Sequence, residues 1–124
     1  YKRQGKNKYL IYGIENRIEQ IIANLLDNAI SFSDDNKDVI VQVSKSEDNK
    51  VYIKILDEGQ GFKEKDTNKI FKRFYSNRPD KFGQHSGLGL NIVKNLVDLH
   101  NATIKATNRQ DKKGASMEIE FPKV

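Results

Sequence analysis

The fold of this chain is decided by the stretch IEQIIANLLDNA, which occupies residues 18–29. Apolar side chains recur in and around this stretch at the spacing of one helical face, at Ile14, Ile18, Ile21, Ile22, Leu25, Leu26 and Ala29. This period predicts a core-packed amphipathic helix from Ile14 to about Phe32. Asn24 and Asn28 stand four residues apart beside that face, although asparagine is a mediocre helix former. They are either a polar helix edge or two amide oxygens aimed at a hard cation, which prefers oxygen ligands.

Three further motifs follow in order along the chain. The sequence DEGQG at residues 57–61 comes directly after the alternating run VYIKIL at residues 51–56. The sequence IFKRFY occupies residues 70–75, and a loop-like stretch ends in GQHSGLGL at residues 83–90. Glycine has no Cβ atom, so Gly59 and Gly61 let the backbone turn sharply and approach a flat ligand closely.

Together the four motifs resemble the catalytic, ATP-binding domain of bacterial sensor histidine kinases. That domain lies within a wider group that includes gyrase, mismatch-repair and heat-shock chaperone ATPases. In this resemblance, residues 24–28 match the asparagine box, 57–61 the first glycine box, 71–74 the phenylalanine box and 87–90 the second glycine box. The resemblance extends from about residue 9 to residue 122. It implies a two-layer α/β sandwich, the Bergerat fold, in which an ATP lid covers the nucleotide.

Composition sets the expected domain organisation and excludes several classes of protein. A chain of 124 residues suits a single core, so we expect one domain over residues 1–124, with a basic N-terminus at residues 1–8. The sequence has no cysteine and nothing that resembles a signal peptide or a membrane span, which excludes a disulfide framework and a thiolate metal site. The net charge of +5 is dispersed, with modest clusters at residues 1–8 and 109–113. This indicates a solvated surface with mild attraction to polyphosphates such as ATP, and no nucleic-acid partner.

The periodicity of the chain indicates an α+β fold. The predicted elements are a strand at residues 9–12, the asparagine helix, a hairpin of strands at 39–43 and 51–55, a short helix at 68–75, a loop at 76–86, a helix at 88–100, and strands at 103–107 and 115–121. The helix at 88–100 has apolar side chains on one face, at Leu88, Ile92, Val93, Leu96 and Leu99. This order disfavours a doubly wound parallel sheet. It favours helices that cover one face of a mixed, mostly antiparallel sheet.

Asp57 follows a strand and precedes Gly59 and Gly61, so its carboxylate is a candidate contact for a nucleotide base. A carboxylate held in a cleft can accept a hydrogen bond from the exocyclic amine of adenine, and it would repel the carbonyl oxygen of guanine. The alternative is an ordinary Asp-x-Gly turn after a strand. In the company of the other motifs we favour the adenine contact, with Gly59 and Gly61 also assigned to the nucleotide.

Asn28 is the candidate magnesium ligand, because Mg²⁺ keeps several waters and takes few protein oxygens beside those of phosphate. In gyrase-like and anti-sigma relatives, the position that Asn24 matches is a glutamate that activates the attacking nucleophile. The amide of Asn24 cannot act as a general base. We assign Asn24 to the nucleotide-binding and catalytic residues, and its amide favours a kinase over an ATPase. Ser31 departs from the family, which often has a lysine at this position.

The second glycine box opens the predicted helix at residues 88–100. Main-chain amides at a helix N-terminus, with the helix dipole behind them, bind phosphate without any side chain. Gly87, Leu88 and Gly89 are therefore assigned to the nucleotide, and the two glycines allow the phosphates to come close.

A cation for the γ-phosphate is expected from the segment between the glycine boxes. The resemblance makes Arg73 the leading choice and a catalytic residue, because a guanidinium fork suits a phosphoryl group. Arg78 and Lys81 are the alternatives. Phe71 is assigned to the nucleotide site, while Phe71 and Phe74 together are interpreted as hinge and core contacts of the lid.

The resemblance implies that the chain binds ATP and Mg²⁺ and donates the γ-phosphoryl group to a histidine on a separate dimerisation helix of a parent two-component sensor kinase. Neither His85 nor His100 stands in a phosphoacceptor pattern, so the accepting histidine belongs to another domain. Expected partners are that domain, a response-regulator receiver domain and a second copy of the parent, a homodimer. We expect a cytoplasmic domain whose parent is anchored in the inner membrane. The alternatives are an anti-sigma-type serine kinase, which Asn24 disfavours, and a non-catalytic nucleotide-binding or regulatory module.

Overall fold

The computed structural model describes residues 10–33, 36–62, 70–71 and 89–123. Within them the helices and strands, in chain order, are α1 (Glu15–Phe32), β1 (Ile40–Lys45), β2 (Val51–Leu56), α2 (Gly89–Leu99), β3 (Thr103–Asn108) and β4 (Ala115–Phe121). The predicted α+β fold is confirmed, with its asparagine helix, its β1–β2 hairpin and its two closing strands. Among the described residues, no helix is long and apolar enough to cross a membrane.

The described strands form one antiparallel sheet in the order β1-β2-β4-β3. Its register places Val43 opposite Ile53, Ile53 opposite Ile119 and Ile119 opposite Ile104, so a row of apolar side chains crosses the sheet. Because side chains alternate along a strand, every second row points to the same face. That face carries the core.

Both helices cover the apolar face of the sheet. The helices pack against each other, while α1 also contacts β2 and α2 contacts β3. The side chains that are fully buried between the two layers include Ile21, Leu25, Ile55, Val93, Val97, Ile119 and Phe121. On the opposite face, the Tyr52 hydroxyl donates to Glu120 at 2.9 Å and Lys54 pairs with Glu118 at 3.7 Å. One helix-covered face and one polar face make the fold a two-layer α/β sandwich.

The strand predicted at residues 9–12 is not formed by residues 10–12, which are the part of that segment that the structure describes. Residues 10–14 have no regular secondary structure, and Tyr12 is 74% exposed. A short run of apolar and aromatic residues fits a strand, but a strand needs a neighbour for its hydrogen bonds, and no described strand pairs with this segment. The main-chain N–H of Ile14 donates instead to Nε2 of His100 at 3.1 Å.

The burial of β1 and of α2 does not follow from their sequence patterns alone. Strand β1 alternates in sequence, yet all of its residues are exposed, because it is an edge strand and α1 packs over β2. In α2 the buried positions are Val93 and Val97, whereas Leu99 is 59% exposed. Leu99 lies about a third of a turn or more away from the line through Val93 and Val97, so it misses the sheet.

Candidate functional site

Asp57 lies directly after β2 and is 3% exposed. Its carboxylate oxygen Oδ1 accepts hydrogen bonds from the main-chain N–H groups of Gly59 at 2.9 Å and Ala115 at 3.0 Å. The main-chain N–H of Asp57 donates in return to the carbonyl oxygen of Ala115 at 3.0 Å. Strand β4 and the glycine turn therefore fix the orientation of this buried carboxylate.

The C-terminal end of α1 is locked to the same turn. Ser33, the residue after α1, forms an isolated antiparallel bridge with Gly59, and its hydroxyl oxygen accepts a hydrogen bond from the N–H of Glu58 at 3.4 Å. A Cβ atom on Gly59 would lie 2.1 Å from the carbonyl oxygen of Phe32, so only glycine allows this approach. The close approach predicted for Gly59 is thus used by the protein's own backbone. Gly61 is buried and has a positive φ of 78°.

Asn24 and Asn28 lie half-buried on α1, beside the buried stripe of Ile21, Leu25 and Ala29. Neither side-chain amide makes a hydrogen bond to another residue in the described part of the chain. Half-buried amides whose hydrogen-bonding capacity is not used by described residues are available to bind a ligand. From the rise of an α-helix, Asn28 stands about 7.5 Å along the helix axis from Ser33, which is bridged to the turn of Asp57.

Among the described residues, a metal ion at this site finds few protein ligands. The described residues hold no group of three or more histidine, cysteine or acidic side chains that could bind a metal. Mg²⁺ commonly takes one or two protein oxygens and completes its shell with water and phosphate oxygens. The amide oxygen of Asn28 fits such a sparsely ligated ion, whereas it would be a poor match for a metal that needs a full protein cage.

Phe71 and the start of α2 lie together. Phe71 is buried in the core cluster, and its carbonyl oxygen accepts a hydrogen bond from Nδ2 of Asn91 at 3.3 Å. Asn91 belongs to the first turn of α2, which begins at the exposed Gly89. This contact ties the described part of the phenylalanine box to the helix that the second glycine box opens.

Several predicted site residues lie outside the described residues. These are Arg73, Gly87 and Leu88, together with the alternative cations Arg78 and Lys81. The predicted helix at 68–75 is described only at residues 70–71, which have 3₁₀ conformation, and the predicted loop at 76–86 is not described.

Arg109 is a site residue that the sequence analysis missed. It belongs to the basic cluster at residues 109–113, which was expected to be solvated, yet its side chain is 3% exposed. Its Nη1 donates to the carbonyl oxygen of Asp57 at 3.1 Å, while Nε and Nη2 donate to the two carboxylate oxygens of Asp111 at 3.0 and 2.7 Å. These hydrogen bonds hold the pKa of Asp111 below its usual value. The only local signal was an aspartate two residues after an arginine.

His100 also has a role that its sequence position did not indicate. It was expected only to add a favourable partial charge at the end of a helix, but it is buried and uses both ring nitrogens. Nδ1 lies 2.7 Å from the carbonyl oxygen of Leu96, and Nε2 accepts the N–H of Ile14. A ring that accepts at Nε2 is the neutral tautomer with its proton on Nδ1. His100 thus joins the end of α2 to the start of α1.

Comparison with known proteins identifies the class to which this geometry belongs. Residues 13–124 match the family described as histidine kinase-, DNA gyrase B- and HSP90-like ATPases. Because the match includes the asparagine helix, the Asp57 turn and every described strand, the chain belongs to this ATPase family.

Sensor kinases are among the family members that are similar to this chain. The chain is 37% identical over 116 residues to the sensor protein ChvG of Agrobacterium fabrum strain C58. The matched region covers 91% of this chain and 19% of ChvG. It matches the mycobacterial sensor histidine kinase MprB with a TM-score of 0.80 and 26% identity, over 90% of this chain and 74% of that one. It matches full-length ShkA, solved in complex with AMPPNP, with a TM-score of 0.73 and 26% identity, over 90% and 22%. The resemblance to histidine kinases is confirmed. The chain spans about a fifth of the length of the curated ChvG sensor proteins that it matches.

The packing at Gly114 generates a prediction about stability. Gly114 has a φ of 143°, and a Cβ atom there would lie 2.0 Å from the carbonyl oxygen of Asp57. We expect Gly114→Ala to lower the free energy of unfolding by about 2 kcal/mol or more, because backbone strain and the clash must both be accommodated. Urea unfolding followed by circular dichroism measures the change.

Gly89→Ala is the matched control. No atom lies within 4 Å of a Cβ atom built on Gly89, and this residue begins a helix. The substitution should leave stability unchanged or raise it by up to about 1 kcal/mol, since alanine favours helix. Equal losses for the two variants would contradict the close approach of Gly114 to Asp57.

Proposed function

We propose that this chain binds Mg-ATP and donates the γ-phosphoryl group to a histidine on a separate helical domain of a parent sensor kinase. The observation that carries the proposal is a pair of asparagine amides that make no hydrogen bond to any described residue, on a helix that is bridged to the turn of a buried aspartate. A helix locked at Ser33 holds Asn24 and Asn28 in a constant relation to Asp57. Membership in an ATPase family supports ATP as the ligand.

Asp57 is proposed to bind the adenine base. Its Oδ1 is held by two main-chain N–H groups, which keeps the carboxylate in one orientation without neutralising its charge. An anionic acceptor suits the exocyclic amine of adenine and disfavours the carbonyl of guanine, so one residue selects the base. Gly59 and Gly61 are proposed to form the wall beside it.

The phosphate end of the site is proposed to lie between α1 and the start of α2. Asn28 would bind the magnesium ion and Asn24 the nucleotide, and the helix start at Gly87, Leu88 and Gly89 would bind phosphate oxygens through main-chain amides. Since Ser31 replaces the usual lysine, cationic compensation must come from elsewhere. Arg73 is proposed to supply it, and Phe71 to support the nucleotide site from the core.

The chemistry favours phosphoryl transfer over hydrolysis. Transfer requires a nucleophile placed in line with the γ-phosphate, and the protein contributes mainly placement and charge. Asn24 offers an amide where a water-activating enzyme needs a carboxylate. We therefore propose that the nucleophile is a histidine of a dimerisation domain of the same protein, and that the phosphoryl group passes on to a response-regulator receiver domain. The parent is proposed to be a membrane-anchored homodimer, with this domain in the cytoplasm.

The metal assignment predicts a magnesium-dependent defect. Asn28→Ala should weaken ATP binding by about 10- to 100-fold in Mg²⁺, the usual scale for damage to a metal site. In excess chelator the loss should be small, because the missing oxygen then has no cation to bind. Isothermal titration of the 124-residue chain under both conditions measures the two affinities.

Asn16→Ala provides the control, since Asn16 is an exposed asparagine on the same helix. The Asn16→Ala variant should bind ATP with the affinity of the unsubstituted 124-residue chain, both with Mg²⁺ and with excess chelator. A loss at Asn28 that is the same with and without Mg²⁺ would refute its assignment as the ligand.

The transfer reaction itself tests the proposed function. The isolated chain should bind Mg-ATP without labelling itself from γ-labelled ATP and without appreciable turnover, because it lacks both a general base at position 24 and an acceptor in a recognisable setting. When mixed with the histidine-bearing helical segment of its own parent, it should produce an acid-labile, base-stable phosphohistidine on that segment.

Two results would replace this proposal with one of its alternatives. Vigorous hydrolysis by the lone chain would favour an ATPase. Tight nucleotide binding without transfer to the cognate helices, at any concentration tried, would favour a non-catalytic regulatory module.

A further inference from the structure

The end of β3 places two consecutive side chains against the two ends of the first glycine box. At its start, Nη1 of Arg109 donates to the carbonyl oxygen of Asp57 at 3.1 Å. At its end, Oδ1 of Asn108 accepts the N–H of Phe62 at 2.6 Å, and Nδ2 of Asn108 donates to the carbonyl oxygen of Phe62 at 3.0 Å. One dipeptide therefore holds residues 57–62 from both sides.

We propose that Asn108 and Arg109 are positioning residues that set the placement of the Asp57 carboxylate, and hence the affinity and selectivity of the site for adenine. The inference rests on the proposed function, because it assumes that Asp57 binds the base. It adds two residues, distant in sequence from every motif of the nucleotide site, that act through the main chain rather than by touching the ligand.

Arg109 is itself held in place by contacts that leave it little freedom. Its fork is bound by both oxygens of Asp111, and its main-chain N–H donates to the carbonyl oxygen of Gly114 at 2.9 Å. The residue after Gly114 is Ala115, whose N–H binds the carboxylate of Asp57. The carbonyl and the carboxylate of Asp57 are thus both fixed by one turn, the segment from Arg109 to Ala115.

Asn108 pairs with Phe62 as a neighbouring strand would. A side-chain amide that both accepts from an N–H and donates to a C=O reproduces a backbone pair at the point where the glycine box ends. Without it, the N–H and C=O of Phe62 would lose these two hydrogen bonds, and the end of the glycine box would lose this tie to the end of β3.

The test compares four variants by their dissociation constants for ATP and GTP. Arg109→Gln and Asn108→Ala should each weaken ATP binding by about 5- to 30-fold, in the range expected for losing hydrogen bonds that orient a charged group. GTP, which gains nothing from a well-placed carboxylate, should lose less, so the ATP/GTP preference should shrink. Lys113→Gln removes the same charge from an exposed lysine of the same turn and should change neither constant. Arg109→Lys keeps the positive charge without the guanidinium fork. Its dissociation constant for ATP should lie between those of the unsubstituted chain and Arg109→Gln.

Hydrogen exchange of the main-chain amides of Gly59 and Phe62 supplies a second readout. If Arg109→Gln does not fold, the same measurements are made on Arg109→Lys. The proposal predicts faster exchange in this segment at a global stability near that of the parent chain. Variants that only lower the unfolding midpoint, with the ATP/GTP preference intact in the folded protein, would overturn it.

Asp57→Asn separates a failure of this inference from a failure of the proposed function. The amide oxygen can retain the bonds from Gly59 and Ala115, while the second carboxylate oxygen becomes a donor. If Asp57→Asn leaves ATP affinity unchanged, the adenine contact is wrong and the positioning role falls with it. If Asp57→Asn weakens ATP binding but Arg109→Gln behaves like Lys113→Gln, only the positioning role is wrong.

Discussion

The buried carboxylate of Asp57, which accepts hydrogen bonds from the N–H groups of Gly59 and Ala115, is the interaction on which the rest of the site depends. It lies where β2 ends and β4 begins, and the turn that it closes is bridged to the end of α1 through Ser33. Removal of the carboxylate would leave two buried donors without this partner, at a typical cost of about 1–3 kcal/mol each. A single side chain thus joins the sheet, the glycine turn and the asparagine helix.

The two helices connect the Asp57 turn to other parts of the domain through hydrogen bonds at their ends. Helix α1 is bridged to the Asp57 turn at its C-terminal end, and at its N-terminal end Ile14 donates to His100, just beyond α2. The start of α2 is tied to Phe71 through Asn91. The helices therefore run antiparallel, with a polar contact where the start of α1 meets the end of α2 and apolar packing along the pair. The carboxylate of Asp57 and the end of α1 are therefore held by contacts within the protein, without any ligand.

Much of the fold follows from local sequence patterns, because helices and strands impose their own periods on apolar residues. The bounds of α1 and β4 could be predicted for this reason, and so could the antiparallel hairpin and the motifs that carry Asn24, Asn28 and Asp57. The contacts that could not be predicted join residues far apart in the chain. Arg109 reaches Asp57 across 52 residues, Asn108 reaches Phe62 across 46 and His100 reaches Ile14 across 86. The periodicity of apolar residues is a local property and does not predict contacts between distant residues. The exposure of β1 likewise depends on where α1 packs.

The most direct test of the central claim is a crystal structure of this chain with a non-hydrolysable ATP analogue and Mg²⁺. The account predicts an adenine amine about 2.7–3.2 Å from the carboxylate of Asp57. It also predicts a magnesium ion about 2.1 Å from Oδ1 of Asn28, with the bonds from Gly59 and Ala115 to Asp57 unchanged. An analogue bound away from α1, or a base whose amine faces no carboxylate, would contradict it.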